Sequence, residues 1–218
     1  NKSGFHTFEE KIIDGNRLEA LDRLCKHNKI IVGDLVLAII SQLIMNKFDV
    51  EQLGMSITSN GRLLKQIPKD FSNTIGPLAY EKKITLERSK NNNYLNIAYN
   101  TRKYLTSEVE NSFEEVLLSN RSYYFGTSVD RSNEGKSLSK VVVSDANNII
   151  FNYLDGGDAK EGSFLDTNNG KAMFMIKCFK YGTELNLYWS FPKNKSVQKN
   201  TELITSNVSK ILQELAVY

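Results

Sequence analysis

At 218 residues, 40% apolar and 24% charged, the chain is long enough to bury a real core and lacks the bias of a disordered segment. Its 28 basic and 25 acidic residues leave a formal charge of +3 and are mixed along the sequence, so no basic stripe exists to neutralise a nucleic-acid backbone. Cys25 and Cys178 lie far apart inside apolar segments, which suits reduced core thiols rather than a disulfide framework; with only His6 and His27 beside them, a metal site has no support.

The N-terminal NKSGFHTFEEK has no signal-peptide h-region and no initiating Met, so the chain is expected to be a piece of something longer. Asn16 to Lys26 places Leu18, Leu21 and Cys25 at helical spacing, an amphipathic helix ended by His27-Asn28-Lys29. Gly33-Asp34 offers an N-cap for a second helix, Leu35 to about Lys47. Apolar residues cover nearly its whole circumference, so it should be central. Its longest apolar run, Leu35 to Ile40, is far short of the roughly 18 residues of a membrane span; a soluble, cytoplasmic protein is expected.

Leu53 to Ser59 reads as a strand ending in the turn Asn60-Gly61 before Arg62. After the break at Gly76-Pro77, Leu78 to Leu86 reads as another strand. Lys90 to Leu105 carries Tyr94, Ile97, Ala98, Thr101 and Leu105 on one helical stripe. A further helix capped by Thr106 and Ser107 should bury Val109, Phe113, Val116 and Leu117.

Lys140 to Ser144 and Asn148 to Leu154 are predicted strands. In the second, alternation puts Ile149, Phe151 and Tyr153 on one face and Ile150, Asn152 and Leu154 on the other. Asn152 thus sits between aliphatic side chains, where an unpartnered carboxamide costs roughly 1 to 3 kcal/mol. It is either a structural bridge or a group aimed at a ligand. Asp155 to Gly170 reads as a long loop, Lys171 to Tyr181 and Glu184 to Phe191 as a hairpin around Gly182-Thr183, and Ser196 to Val217 as a helix. About five helices and five or six interspersed strands predict an α/β sandwich, one mixed sheet covered by helices, in a single domain.

The chemistry-bearing residues are sparse. No Ser or Cys has an evident histidine base; His27 is expected to cap or follow a helix and His6 to be solvated. Glu9-Glu10 and Glu114-Glu115 read as solvated helix faces, and Asp155-Gly156-Gly157 lacks the spacing of a phosphate loop.

Several short stretches in order carry a resemblance: Asp34-Leu35-Val36-Leu37-Ala38 at a helix start, Ser59-Asn60-Gly61-Arg62 after a strand, Thr74-Ile75-Gly76-Pro77-Leu78, Tyr123-Tyr124-Phe125-Gly126, Phe151-Asn152-Tyr153-Leu154, then the hairpin and closing helix. Together they resemble the C-terminal half of the condensation superfamily of nonribosomal peptide synthetases, which has a chloramphenicol-acetyltransferase-like fold. That family's catalytic motif, two adjacent histidines followed by aspartate and glycine, belongs to its N-terminal half and does not occur here. The resemblance therefore implies one lobe of a V-shaped two-lobed enzyme. Asn152 and Tyr153, with Ser59 and Asn60, would line the tunnel where thioesters are joined. Gly61 and Gly76 would serve backbone conformation, and Arg62 would hold the turn or a carboxylate.

The resemblance implies no cofactor bound by the chain itself; 4'-phosphopantetheine would arrive on a carrier protein. The other partners it implies are an N-terminal lobe and an adjacent adenylation domain. The Phe-Asn-Tyr-Leu run is most typical of epimerisation domains, but those carry a glutamate shortly before the Gly-Arg pair, and Ile57-Thr58-Ser59-Asn60 has no carboxylate. That departure favours amide-forming condensation or a degenerate lobe. A non-catalytic docking module remains open.

Overall fold

The structure is a computed structural model that describes residues 5–60, 79–107, 149–155 and 174–217. These form six strands and four helices: β1 (Phe5–Asp14), α1 (Gly15–His27), α2 (Val32–Phe48), β2 (Gln52–Asn60), β3 (Ala79–Glu87), α3 (Tyr94–Ser107), β4 (Ile149–Asp155), β5 (Phe174–Tyr181), β6 (Glu184–Pro192) and α4 (Lys195–Leu215). The strands make one mixed sheet in the order β1-β6-β5-β4-β2-β3. β4 lies parallel to both β2 and β5; the β1–β6, β5–β6 and β2–β3 pairs are antiparallel. The predicted mixed sheet with a helical cover is the architecture found.

The cover is organised on α2. All its residues from Val32 to Gln42 are buried, with Ile44 and Met45, as expected of a helix apolar all round. It packs against α1, α3, α4, β2 and β4. Ile149 and Phe151 of β4, Ile176 and Cys178 of β5, and Leu187 and Trp189 of β6 point into the same core. Gln42, fully buried, ties this helix to the exit of β3: its Nε2 donates to Glu87 O at 2.9 Å and its Oε1 accepts from the Ser89 N–H at 2.8 Å. Among the described residues no single helix is long and apolar enough to cross a membrane.

The differences from expectation are local. Helix α2 begins at Val32, so Gly33 and Asp34 lie inside its first turn rather than before it. Asp34 caps from within, its Oδ2 accepting the Ile31 N–H at 3.0 Å. Glu9 and Glu10 stand on a strand, not a helix; β1 is an edge strand with a bulge between Lys11 and Ile13, which buries Ile12 and Ile13 together and breaks the alternation. His6 is half-buried, its ring 5.4 Å from that of Phe191. Thr106 lies within α3 and donates to Arg102 O at 2.8 Å; the helix it was expected to cap falls outside the described residues. The closing helix is capped by Asn194, whose Oδ1 accepts from the N–H groups of Ser196 and Val197. The predicted helix after Ser107 and the strand Lys140 to Ser144 lie outside the described residues.

Candidate functional site

The two parallel strands β2 and β4 part company at one point. Their ladder runs Ser56↔Ile150, Ile57↔Phe151, Thr58↔Asn152 and ends there. Beyond it, among the described residues, β2 continues through Ser59 and Asn60 paired to β3, and β4 continues through Tyr153, Leu154 and Asp155 paired to β5. The sheet therefore forks at the carboxyl ends of adjacent parallel strands, the position where open α/β sheets hold ligands. Thr58 and Asn152 stand at the crotch of that fork.

The pleat settles which groups share a face. Thr58, Asn152, Lys177, Tyr188 and Glu9 are successive cross-strand partners and form one row across the sheet, away from the helix-packed core. Neighbouring rows on this face hold Ser56, Ile150, Met175 and Ser190, and Leu154 with Phe179. The face is buried along β5 and β6: Ser190 is wholly enclosed, and even Lys177 is only 6% exposed, its Nζ 5.4 Å from the centre of the Tyr188 ring. Asn152 and Thr58 are half-buried, so this row becomes more accessible toward the fork.

Of the residues singled out in the sequence, Asn152 reaches this face and Tyr153 does not. Tyr153 projects to the opposite side, against the core, with its ring over Gly33 at the start of α2. Ser59 and Asn60 occupy the β2 arm of the fork. Gly61, Arg62 and Gly76 lie outside the described residues. Lys177 was not anticipated, because a lysine in the alternating run FMIKCFKY reads as an exposed position; its register beside Asn152 is set by a strand more than twenty residues away.

The titratable groups near the helix layer do not make a nucleophilic centre. Burial pushes the Cys25 thiol up to about 12, helped by the charges of Asp22 and Asp34, and burial pushes Cys178 up as well. Both thiols stay protonated and inert. The Asp34 carboxyl is also raised by burial, against the opposing pull of the Ile31 N–H and of Arg102, whose Nε stands 3.8 Å from Asp34 Oδ2. Among the described residues no three His, Cys, Asp or Glu side chains stand close enough to hold a metal ion. An open pocket of about 210 Å³ lies elsewhere, between His6 and the start of α4, lined by Lys193, Asn194, Lys195 and Gln198.

No protein-family model and no curated protein matches the sequence. Solved structures do match in shape. The epimerization domain from the third module of tyrocidine synthetase B superposes with a TM-score of 0.66 at 14% identity, over 97% of this chain and 48% of its own. The condensation domain from the Monacolin K polyketide synthase MokA gives 0.63 at 10% identity over 98% and 47%, and PapA2 acyl transferase gives 0.62 at 14% over 97% and 44%. At such identities the likeness concerns the fold. The chain shares its fold with these condensation, epimerization and acyl transferase structures and spans less than half their length.

Proposed function

We propose that this chain is one lobe of an amide-forming condensation domain of a nonribosomal peptide synthetase, with the forked face as one wall of the tunnel in which two carrier-bound thioesters meet. One observation carries this reading: nearly all of the chain matches less than half of each neighbouring structure, which leaves room for a second lobe opposite the fork. The base belongs to that second lobe. Among the described residues this one offers a half-buried carboxamide and a hydroxyl at the fork, and thiols too basic to act.

Asn152 supplies both a donor and an acceptor. It orients an acceptor amine or a thioester carbonyl, and orientation alone lowers a barrier substantially when two tethered reactants must meet. Ser59 and Asn60 form the rim on the β2 arm. 4'-Phosphopantetheine enters attached to the carrier protein, and carrier and adenylation domains are the partners. β2 ends in Thr58-Ser59-Asn60 without a carboxylate, so the second proton-transferring group that epimerisation needs is missing there, which favours condensation.

The test uses the full-length protein that carries this chain, with aminoacyl thioesters loaded on carrier proteins. Amide product should form, should fall sharply in Asn152→Ala, and should be absent with the 218 residues alone. Exchange of the α-hydrogen for solvent deuterium without amide product would instead identify an epimerising lobe, and carrier binding with neither reaction a docking module.

A further inference from the structure

We propose that Tyr153 is a positioning residue for Asn152, seated in a notch that Gly33 leaves in the first turn of α2; the proposal rests on the functional reading above for its catalytic consequence. Three observations support it. The β2–β4 ladder runs to Thr58↔Asn152, so Asn152 stands on its last rung among the described residues, and Tyr153 and Leu154 follow in register with Cys178 and Phe179 of β5.

Tyr153, the next residue, is anchored on the other face. A Cβ built on Gly33 would lie 2.7 Å from both Cβ and Cδ1 of Tyr153 and closer still to Cγ, distances real Cβ atoms essentially never show. The ring therefore rests on the α2 backbone in space that a side chain would fill, the close approach that glycine alone allows. The seat is itself fixed. One residue on, Asp34 accepts the Ile31 N–H at 3.0 Å and faces Arg102 of α3 at 3.8 Å, so the first turn of α2 is braced from its own N-terminus and from a neighbouring helix.

Because successive side chains of a strand point to opposite faces, anchoring Tyr153 on the helix side sets the direction of Asn152 on the fork side. The neighbouring tyrosine and asparagine thus divide the work: Asn152 meets the substrate and Tyr153 holds it in place.

The experiment is a steric and kinetic cycle in the full-length protein. Gly33→Ala fills the notch, and we expect it to lower kcat about a hundredfold with little change in KM, the scale of a misplacement near 1 Å. Gly33→Ala combined with Asn152→Ala should be no slower than Asn152→Ala alone. Tyr153→Leu should lose as much as Gly33→Ala, and Tyr153→Phe, which keeps the ring, should regain most of it. Losses that multiply, or a Phe variant as damaged as Leu, overturn the proposal. Tyr153→Leu overfills nothing and carries the test if Gly33→Ala does not fold. A second readout is independent of turnover: in protein labelled with ¹⁵N-asparagine, the Asn152 side-chain amide signals, assigned by their loss in Asn152→Ala, should move or broaden in Tyr153→Leu and stay in place in Tyr153→Phe. Signals unmoved in Tyr153→Leu refute positioning. If the wild-type protein makes no amide while those signals respond as expected, the functional reading falls and the positioning role stands.

Discussion

The two faces of β4 are built from the same seven residues and follow opposite rules. On the helix side Ile149 and Phe151 are 2% exposed and interlock with α2, so shape and apolar area decide every position. On the other side a carboxamide, a buried ammonium, a tyrosine and a threonine share one row with aliphatic neighbours above and below. Lys177 keeps its ammonium here beside the Tyr188 ring, and an ionised group is retained at such burial only where partners offset its desolvation. The contrast teaches that β4 is a core strand on one side and carries the candidate site on the other.

The contrast can be broken by substitution, and the largest effect belongs to the core side. Phe151→Ala should destabilise the fold by about 3–5 kcal/mol in chemical denaturation, since a wholly buried ring is lost next to α2. Cys178→Ser, on the same side of β5 and fully enclosed, should cost about 1–3 kcal/mol by burying a hydroxyl in place of a thiol; the wild-type thiols should react with maleimide only after unfolding. Asn152→Ala should change stability by about 1 kcal/mol or less while abolishing most amide formation. A stability loss as large as that of Phe151→Ala would return Asn152 to a purely structural role.

The smallest effect is a pH dependence. Burial raises the Asp34 carboxyl above its ordinary value of 3.8. The folded state then holds a proton that the unfolded state has already released, so this group's contribution is fully present below the unfolded value and is lost as pH rises through the folded one. Asp34→Asn removes that loss. Its melting temperature relative to wild type should therefore be higher at pH 7 than at pH 3, and a difference that stays flat or runs the other way would place the carboxyl in a better-solvated setting.

Much of this architecture was legible beforehand. The spacing of Leu18, Leu21 and Cys25, the apolar circumference of the helix from Leu35 to about Lys47, the Gly182-Thr183 turn and the stripe Ile204, Val208, Ile211 and Leu215 are all local patterns, and each became the element it implied. β1 escapes sequence reading because a strand paired, among the described residues, to β6 alone can leave half its residues wet, and its bulge spoils the period on which recognition depends. Gly33 was read as part of a cap because its real task, giving room to the Tyr153 ring, involves a residue far away in sequence.

The sequence by itself determined the fold class, the centrality of α2, the opposite facing of Asn152 and Tyr153, and the absence of an adjacent histidine pair, since all of these follow from composition and from periods of two and 3.6 residues. Only the tertiary structure decided where β2 and β4 separate, that Thr58 and Lys177 flank Asn152, and that Gly33 seats Tyr153. Strand register and close backbone approach arise between segments distant in the chain, and no local pattern encodes which residue will stand opposite which.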